Sequence, residues 1–208
     1  MQLEMPAVDT SAVDVNTAAY VKEAYAAVKG EDPVGILSER DMGTVPVYID
    51  PANSPYAGVT EFKPHYNGPR AHRVGINRGV PNRRVRRVAE HEFRHVRAEE
   101  LLKYMDDVPD HQARLIMESY AEFAGIANGK KKEIVHTTPY IGEIKFAYAV
   151  DSFYKSELDG STGYRAFIKD VQRYGSAKKA LTRLGRSIKE SGVSMREVLQ
   201  TAERKMAA

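Results

Sequence analysis

Helical periodicity dominates the chain from residue 83 onward and limits how much sheet the protein can form. Apolar side chains recur there every three or four residues, which is typical of helices with one buried face. The predicted helices lie at about 83–105, 111–127 and 139–157. Two or three shorter helices are expected within 164–207. The glycines predict their breaks, at Gly175, Gly185 and Gly192.

Strand-like alternation of apolar and polar residues is confined to residues 44–78. The predicted strands are Thr44–Asp50, Gly58–Lys63 and His72–Arg78. A helix is predicted over Asn16–Lys29, with Asn16 as its N-cap. The order of elements therefore predicts an α+β fold. It would have an N-terminal helix, a small and mainly antiparallel sheet of about three strands, and a long helical remainder.

The chain contains no cysteine and no long apolar run. Without thiolates, any metal must be held by His, Asp or Glu side chains. No segment approaches the roughly 18 apolar residues that a membrane-spanning helix needs. Met1–Val15 also lacks the apolar core of a signal peptide. From these features we expect a soluble, cytoplasmic protein with no membrane span.

Charge is distributed unevenly along the sequence. Residues 1–62 carry three Lys and Arg against ten Asp and Glu, whereas residues 70–97 carry nine Arg against two Glu. Residues 161–208 are also basic, with eleven Lys and Arg against four acidic residues. The densest cationic run is Arg83, Arg84, Arg86 and Arg87. Such a run can contact nucleic-acid phosphates, but no recognition motif accompanies it. We favour a solvated helix start that packs against the acidic N-terminal part.

The pentapeptide His91-Glu92-Phe93-Arg94-His95 carries the clearest chemical signal. Two histidines four residues apart lie on one face of a helix, one turn apart, and can grip a single ion. Glu92 lies about 100° further round, where it can reach a metal-bound water without binding the metal. Zn²⁺ suits imidazole nitrogen and lowers the pKa of its water, so Glu92 can act as general base in a hydrolysis.

A third protein ligand is expected on the helix at 111–127. Glu118 and Glu122 both lie opposite the histidines if the two helices form a hairpin. They are four residues apart and share a helix face, so helical phase cannot choose between them. The structural alternative is that both are surface glutamates. Apolar neighbours such as Tyr120 and Phe123 argue for burial, and a buried carboxylate needs a cation.

The segment Glu118-Ser119-Tyr120-Ala121-Glu122-Phe123 resembles the glutamate-helix signature of gluzincin metallopeptidases, with Ser in place of the usual Gly. The specific motifs cover about 91–123, and the order of elements is similar to the minigluzincins over about 16–157. This resemblance implies a zincin-like fold and a zinc metallopeptidase acting on peptide or protein substrates. It also implies Glu118 as third ligand and Ala121 as a spacer for close helix packing.

The resemblance further implies a donor to the oxyanion, taken from a Tyr or His downstream of the glutamate helix. The candidates are Tyr140, His136 and Tyr148, of which we favour Tyr140 because it opens a helix after a loop. The strand His72–Arg78 would pair with extended substrate. We assign residues 1–158 to a catalytic domain and 159–208 to a helical extension packed on it. Two alternatives are a latent or inactive zincin scaffold and a basic nucleic-acid-binding protein.

Overall fold

The described part of the chain divides at residue 100 into two units. The computed structural model describes residues 9–31, 45–50, 54–64, 70–131, 134–135, 138–155 and 162–208. The first unit holds the described residues up to Glu100, and the second holds those from Leu101 onward. The domain boundary expected near residue 158 stays a prediction. The helix before residue 158 (Ile141–Phe153) packs against the last helix of the chain (Met195–Ala207), and both belong to the second unit.

The first unit contains a three-stranded sheet in the order β1-β3-β2. Its strands are β1 (Val47–Asp50), β2 (Gly58–Lys63) and β3 (Arg70–Asn77). β3 is antiparallel to β2 and parallel to β1. The sheet is therefore mixed, and the antiparallel pairing that the sequence led us to expect is the longer of its two pairings. Two successive chain reversals return β3 to the direction of β1, and β3 then inserts between the other two strands.

Because β3 is central, strands pair with it on both sides. The expectation that His72–Arg78 pairs with substrate is therefore wrong for Val74–Ile76, which have a strand on each side. Val74 and Ile76 alternate onto one face of β3, as predicted, and both are buried. They belong to the core that the sheet shares with the first two helices.

Helices α1 (Val15–Lys29) and α2 (Asn82–Arg97) pack on each other, and α2 also packs on β2 and β3. The N-cap of α1 is Asp14, whose side chain accepts hydrogen bonds from the backbone N–H groups of Asn16 and Thr17. The prediction of Asn16 as N-cap is therefore wrong by two residues. An Asp at this position satisfies two N–H groups that the helix itself leaves without partners.

The second unit is helical. A 3₁₀ helix at Glu99–Tyr104 leads into it, and α3 (Asp110–Gly125) ends in a π turn at Ile126–Lys130. The remaining helices are α4 (Ile141–Phe153), α5 (Gly163–Tyr174), α6 (Ala177–Glu190) and α7 (Met195–Ala207). α4 packs against α3, α5, α6 and α7. Among the described residues, no helix has the length and apolar character needed to cross a membrane.

Two of the three predicted glycine breaks are present. Gly175 and Gly192 adopt positive φ angles of 58° and 71°, which favour glycine, and each follows a helix end. The predicted break at Gly185 is wrong, because this residue lies within α6. Its neighbours Leu184 and Ser187 are buried, so tertiary packing overrides the weak helix propensity of one glycine.

Candidate metal centre

His91 and His95 lie on α2, the helix at the centre of the first unit, and their ring nitrogens face each other. Nε2 of His91 and Nε2 of His95 are 3.1 Å apart, and the ring centroids are 4.7 Å apart. Both residues are buried, with 8% and 7% of their surface exposed. The predicted spacing of one helical turn therefore brings two imidazoles to one point in a shielded environment.

The spacing of the two nitrogens fits a shared metal ion. Two nitrogen ligands of a tetrahedral Zn²⁺ at about 2.0–2.1 Å lie roughly 3.3 Å from each other, close to the observed 3.1 Å. An N–H···N hydrogen bond between the rings has the same length and is the structural alternative. His91 and His95 each offer one ring nitrogen to such an ion, and the third ligand expected from the sequence is the carboxylate of Glu118. Two imidazoles and one carboxylate are a donor set that zinc accepts.

Glu92 is buried and is fixed by β2. Its Oε2 accepts a hydrogen bond of 2.8 Å from Oγ1 of Thr60, which also lies 3.1 Å from the main-chain oxygen of Glu92. A Cβ atom added at Gly58 would lie 2.7 Å from Oε1 of Glu92, so β2 and α2 approach closely at this point. A fixed carboxylate next to the first of two paired histidines is the arrangement that a general base needs.

Thr60 and Gly58 were not predicted as part of the site. Both lie in the strand that the alternation pattern identified, but the pattern does not show which strand residues face α2. A glycine within a strand is a weak signal of close backbone approach, and it is the one indication that the sequence offered. Glu99 makes a further link within this unit, because its Oε2 accepts a 2.7 Å hydrogen bond from the N–H of Ala71.

Glu118 and Glu122 have different surroundings on α3. Glu122 is buried, and its Oε1 accepts a 2.8 Å hydrogen bond from Oγ1 of Thr138. Glu118 is half-buried, and its role as third ligand stays a prediction. Ser119, the departure from the family signature, is fully buried and hydrogen-bonds with the hydroxyl of Tyr164. Ala121, the predicted spacer, is also fully buried.

The proposed oxyanion donors are placed differently from one another. Tyr140 is half-buried at the start of α4, and its N–H donates to Oγ1 of Thr138. Tyr148 lies in the core of the second unit with its ring against Phe123, and burial raises the pKa of its hydroxyl. His136 lies outside the described residues. Tyr140 as oxyanion donor stays a prediction.

Acidic residues of α1 and the residues after it pair with arginines of α2, as the charge pattern predicts. Arg94 makes two hydrogen bonds to the carboxylate of Glu31, of 2.5 and 2.9 Å, and both side chains are buried. Arg86 contacts Glu23 at 3.5 Å and Glu90 at 3.1 Å. The helix that carries the two histidines is thus anchored to α1 by ion pairs as well as by its apolar face.

Comparison of the chain with known proteins finds no matching family, no matching curated protein and no matching solved structure. The assignment of a function to the centre therefore depends on its own geometry and chemistry.

Proposed function

We propose that the protein is a zinc-dependent hydrolase that cleaves peptide bonds. In this proposal His91, His95 and Glu118 hold the metal, and Glu92 is the general base. The observation that carries it is the 3.1 Å separation of two buried imidazole nitrogens, one residue away from a buried carboxylate that β2 fixes. A surface histidine pair on a solvated helix would be exposed and would have no anchored carboxylate next to it.

Zinc, when bound, supplies a Lewis acid and lowers the pKa of a water molecule that it holds. Glu92 takes a proton from the attacking water and delivers it to the departing amine. Thr60 occupies one side of the carboxylate by donating to Oε2, which fixes the plane in which Glu92 accepts the proton. Burial of the histidines excludes bulk water and strengthens the electrostatic interactions at this point.

The outer edge of β2 supports an extended peptide as substrate. The main-chain oxygen of Ala57 accepts a hydrogen bond from the N–H of Asn77. Backbone groups of successive residues in an antiparallel strand point to opposite sides, so those of Val59 face β3 and those of Thr60 face the outer edge. Among the described strands, none pairs with that outer edge. A peptide that adds to it as a further strand would lie next to the residue that holds Glu92.

Metal content and hydrolysis of an unfolded protein substrate test the proposal. We expect one zinc per chain after native purification without added metal. Glu92→Gln keeps the shape of the side chain and removes the base. It should retain the zinc and lose at least about a hundredfold in rate. A protein that is metal-free after native purification, and that takes up no zinc on titration, would overturn the proposal.

A matched pair of histidine variants controls for general effects of substitution. His91→Ala should lose both zinc and hydrolysis. His111→Ala removes an exposed histidine near the start of α3 and should keep both. Equal zinc retention in the two variants would assign the 3.1 Å contact of His91 and His95 to a hydrogen bond rather than to a metal site.

A further inference from the structure

A cationic cleft of about 390 Å³ lies on the surface of the second unit, where α5 ends and α6 begins. Its size is within the range of small-ligand sites. The residues that line it are Tyr174, Lys178, Lys179, Thr182, Arg183 and Arg186. Four of the six are cationic and none is acidic. The cleft is formed entirely by residues that the proposed metal centre does not use.

Arg183 is held in place at the cleft by groups beneath it. Its Nε lies 3.7 Å from Oδ2 of Asp170, which is 1% exposed, and the same oxygen accepts a 2.6 Å hydrogen bond from Tyr154. Arg183 also donates to the hydroxyl of Tyr174, and its guanidinium lies 5.5 Å from the centroid of that ring. The guanidinium is therefore oriented before any ligand arrives, unlike that of a freely solvated surface arginine.

The other three cations of the cleft have no acidic partner among the described residues. Lys178, Lys179 and Arg186 are exposed, and no carboxylate in the described part of the chain forms an ion pair with them. Lys179, Arg183 and Arg186 are spaced four and three residues apart on α6, so they project from one face of the helix. Like charges held this close repel each other, and a bound anion with several charges relieves that repulsion.

We propose that this cleft binds a ligand through two or more phosphate groups. Guanidinium groups bind phosphate in a bidentate manner, and lysines contribute further point charges. The four cations of the cleft carry a charge of +4, whereas one phosphate group carries at most about −2, which favours a polyphosphate or a phosphate backbone. The ring of Tyr174 already has the guanidinium groups of Arg173 and Arg183 against it, at 5.4 and 5.5 Å. Recognition therefore uses the phosphates rather than a base stacked on this ring.

Calorimetric titration of the full chain with inorganic tripolyphosphate at low salt tests the proposal. Lys178→Gln, Lys179→Gln and Arg186→Gln are combined in one cleft variant, and they remove exposed charges without touching Arg183 or its buried partner. We expect the Kd of tripolyphosphate to rise at least tenfold in the cleft variant. The apparent affinity of the unmodified chain should fall as salt is added.

A control variant combines Arg83→Gln, Arg84→Gln and Arg196→Gln. It removes the same net charge from exposed positions outside the cleft. It should bind tripolyphosphate as the unmodified chain does. Equal weakening in both variants, or no binding by the unmodified chain at low salt, would overturn the proposal. Any chelation of bound metal is common to both variants, so their difference reports on the cleft alone.

Two further titrations identify the source of the phosphates and test their necessity. Tighter binding of a short single-stranded oligonucleotide than of tripolyphosphate would identify a nucleic-acid backbone as the source. The reverse order would identify a free polyphosphate. Tighter binding of polyglutamate than of either would overturn the proposal, because the cleft would then take an acidic peptide. The double variant His91→Ala/His95→Ala should bind tripolyphosphate normally, which makes this result independent of the proposed hydrolase activity.

Discussion

Thr60, on β2, donates a 2.8 Å hydrogen bond from its Oγ1 to Oε2 of Glu92, on α2. The bond joins the edge strand of the sheet to the helix that carries the two histidines. It positions the proposed base from a different element of the fold. The contact is partly buried, so solvent does not readily replace the hydroxyl.

Thr60→Val preserves the shape of the side chain and removes this donor. A hydrogen bond to a charged group contributes about 1.5–3 kcal/mol, so we expect kcat to fall roughly tenfold to a hundredfold. KM and zinc content should stay unchanged, because Thr60 binds neither substrate side chains nor the metal in our proposal. Thr60→Ser keeps the hydroxyl donor and should retain most of kcat. Equal loss in the Ser and Val variants would show that the hydroxyl does not position Glu92.

We expect any side chain added at Gly58 to destabilise the fold. A Cβ atom there would lie 2.5 Å from Cγ1 of Val88 and 2.7 Å from Oε1 of Glu92. We expect Gly58→Ala to lower the free energy of unfolding by about 1–3 kcal/mol and to displace Glu92. Gly185→Ala is the matched control, because nothing lies within 4 Å of its added Cβ and the residue is inside α6. It should raise stability by about 0.5–1 kcal/mol in urea unfolding.

The sequence predicted the elements of this fold better than their pairing. β2 begins and ends where the alternation pattern placed it, and α1, α2 and α3 begin within one residue of their predicted starts. These features are local, because a side-chain period of two or near four residues is set by the backbone of the element itself. The position of β3 between β1 and β2 depends on contacts between distant segments, which no local pattern encodes.

For the candidate site too, the sequence predicted the local features and missed the contacts between distant segments. The approach of His91 to His95 follows from four-residue spacing on one helix, and the sequence predicted it. Helical phase could not separate Glu118 from Glu122, and only the three-dimensional structure shows that Glu122 is buried and accepts from Thr138, whereas Glu118 is half-buried. Thr60 was missed because its role depends on the packing of β2 against α2. A threonine in a strand carries no local signal of such a contact.

Glu118 and Glu122 should respond differently to loss of charge. Glu118→Gln is expected to weaken zinc binding at least about tenfold, measured by competition with a chelator of known affinity. Glu122→Gln should keep its zinc, because Glu122 is not a ligand in our proposal. The local structure should also survive, since an amide oxygen can accept the hydrogen bond that Thr138 donates to Oε1 of Glu122. The opposite order of the two effects would make Glu122 the third ligand and contradict our assignment.

The buried pair of Arg94 and Glu31 should contribute strongly to the first unit. Their side chains are 4% and 5% exposed, and the contact is bidentate. Arg94→Met leaves a carboxylate buried without its main partner, so we expect a loss of about 3–5 kcal/mol in the free energy of unfolding. Glu23→Gln removes the exposed ion pair of Glu23 with Arg86 and should cost no more than about 1 kcal/mol. Similar losses in the two variants would contradict the importance of burial here.

The hydrogen-bonded pair of Glu61 and Tyr48 should make the stability of the sheet depend on pH at both acidic and alkaline pH. The hydrogen bond from Arg73, and then that from Tyr48, lower the pKa of Glu61 below its ordinary 4.5. The folded state therefore gains stability from Glu61 above that pH and loses it as the carboxylate is protonated on acidification. Burial, and then the hydrogen bond to Glu61, raise the pKa of Tyr48 to about 12 from 10. Its contribution is complete below pH 10 and is lost as the pH rises toward 12.

Glu61→Gln tests this coupling in two measurements. The acid-side fall in stability should become shallower, because the variant has no carboxylate to protonate at this position. The tyrosinate absorbance of Tyr48, obtained by difference against a Tyr48→Phe variant, should appear at lower pH, because the neighbouring negative charge is gone. Glu203→Gln removes an exposed carboxylate of the other unit and should change neither result. An unchanged Tyr48 titration in Glu61→Gln would show that burial alone raises the pKa of this tyrosine.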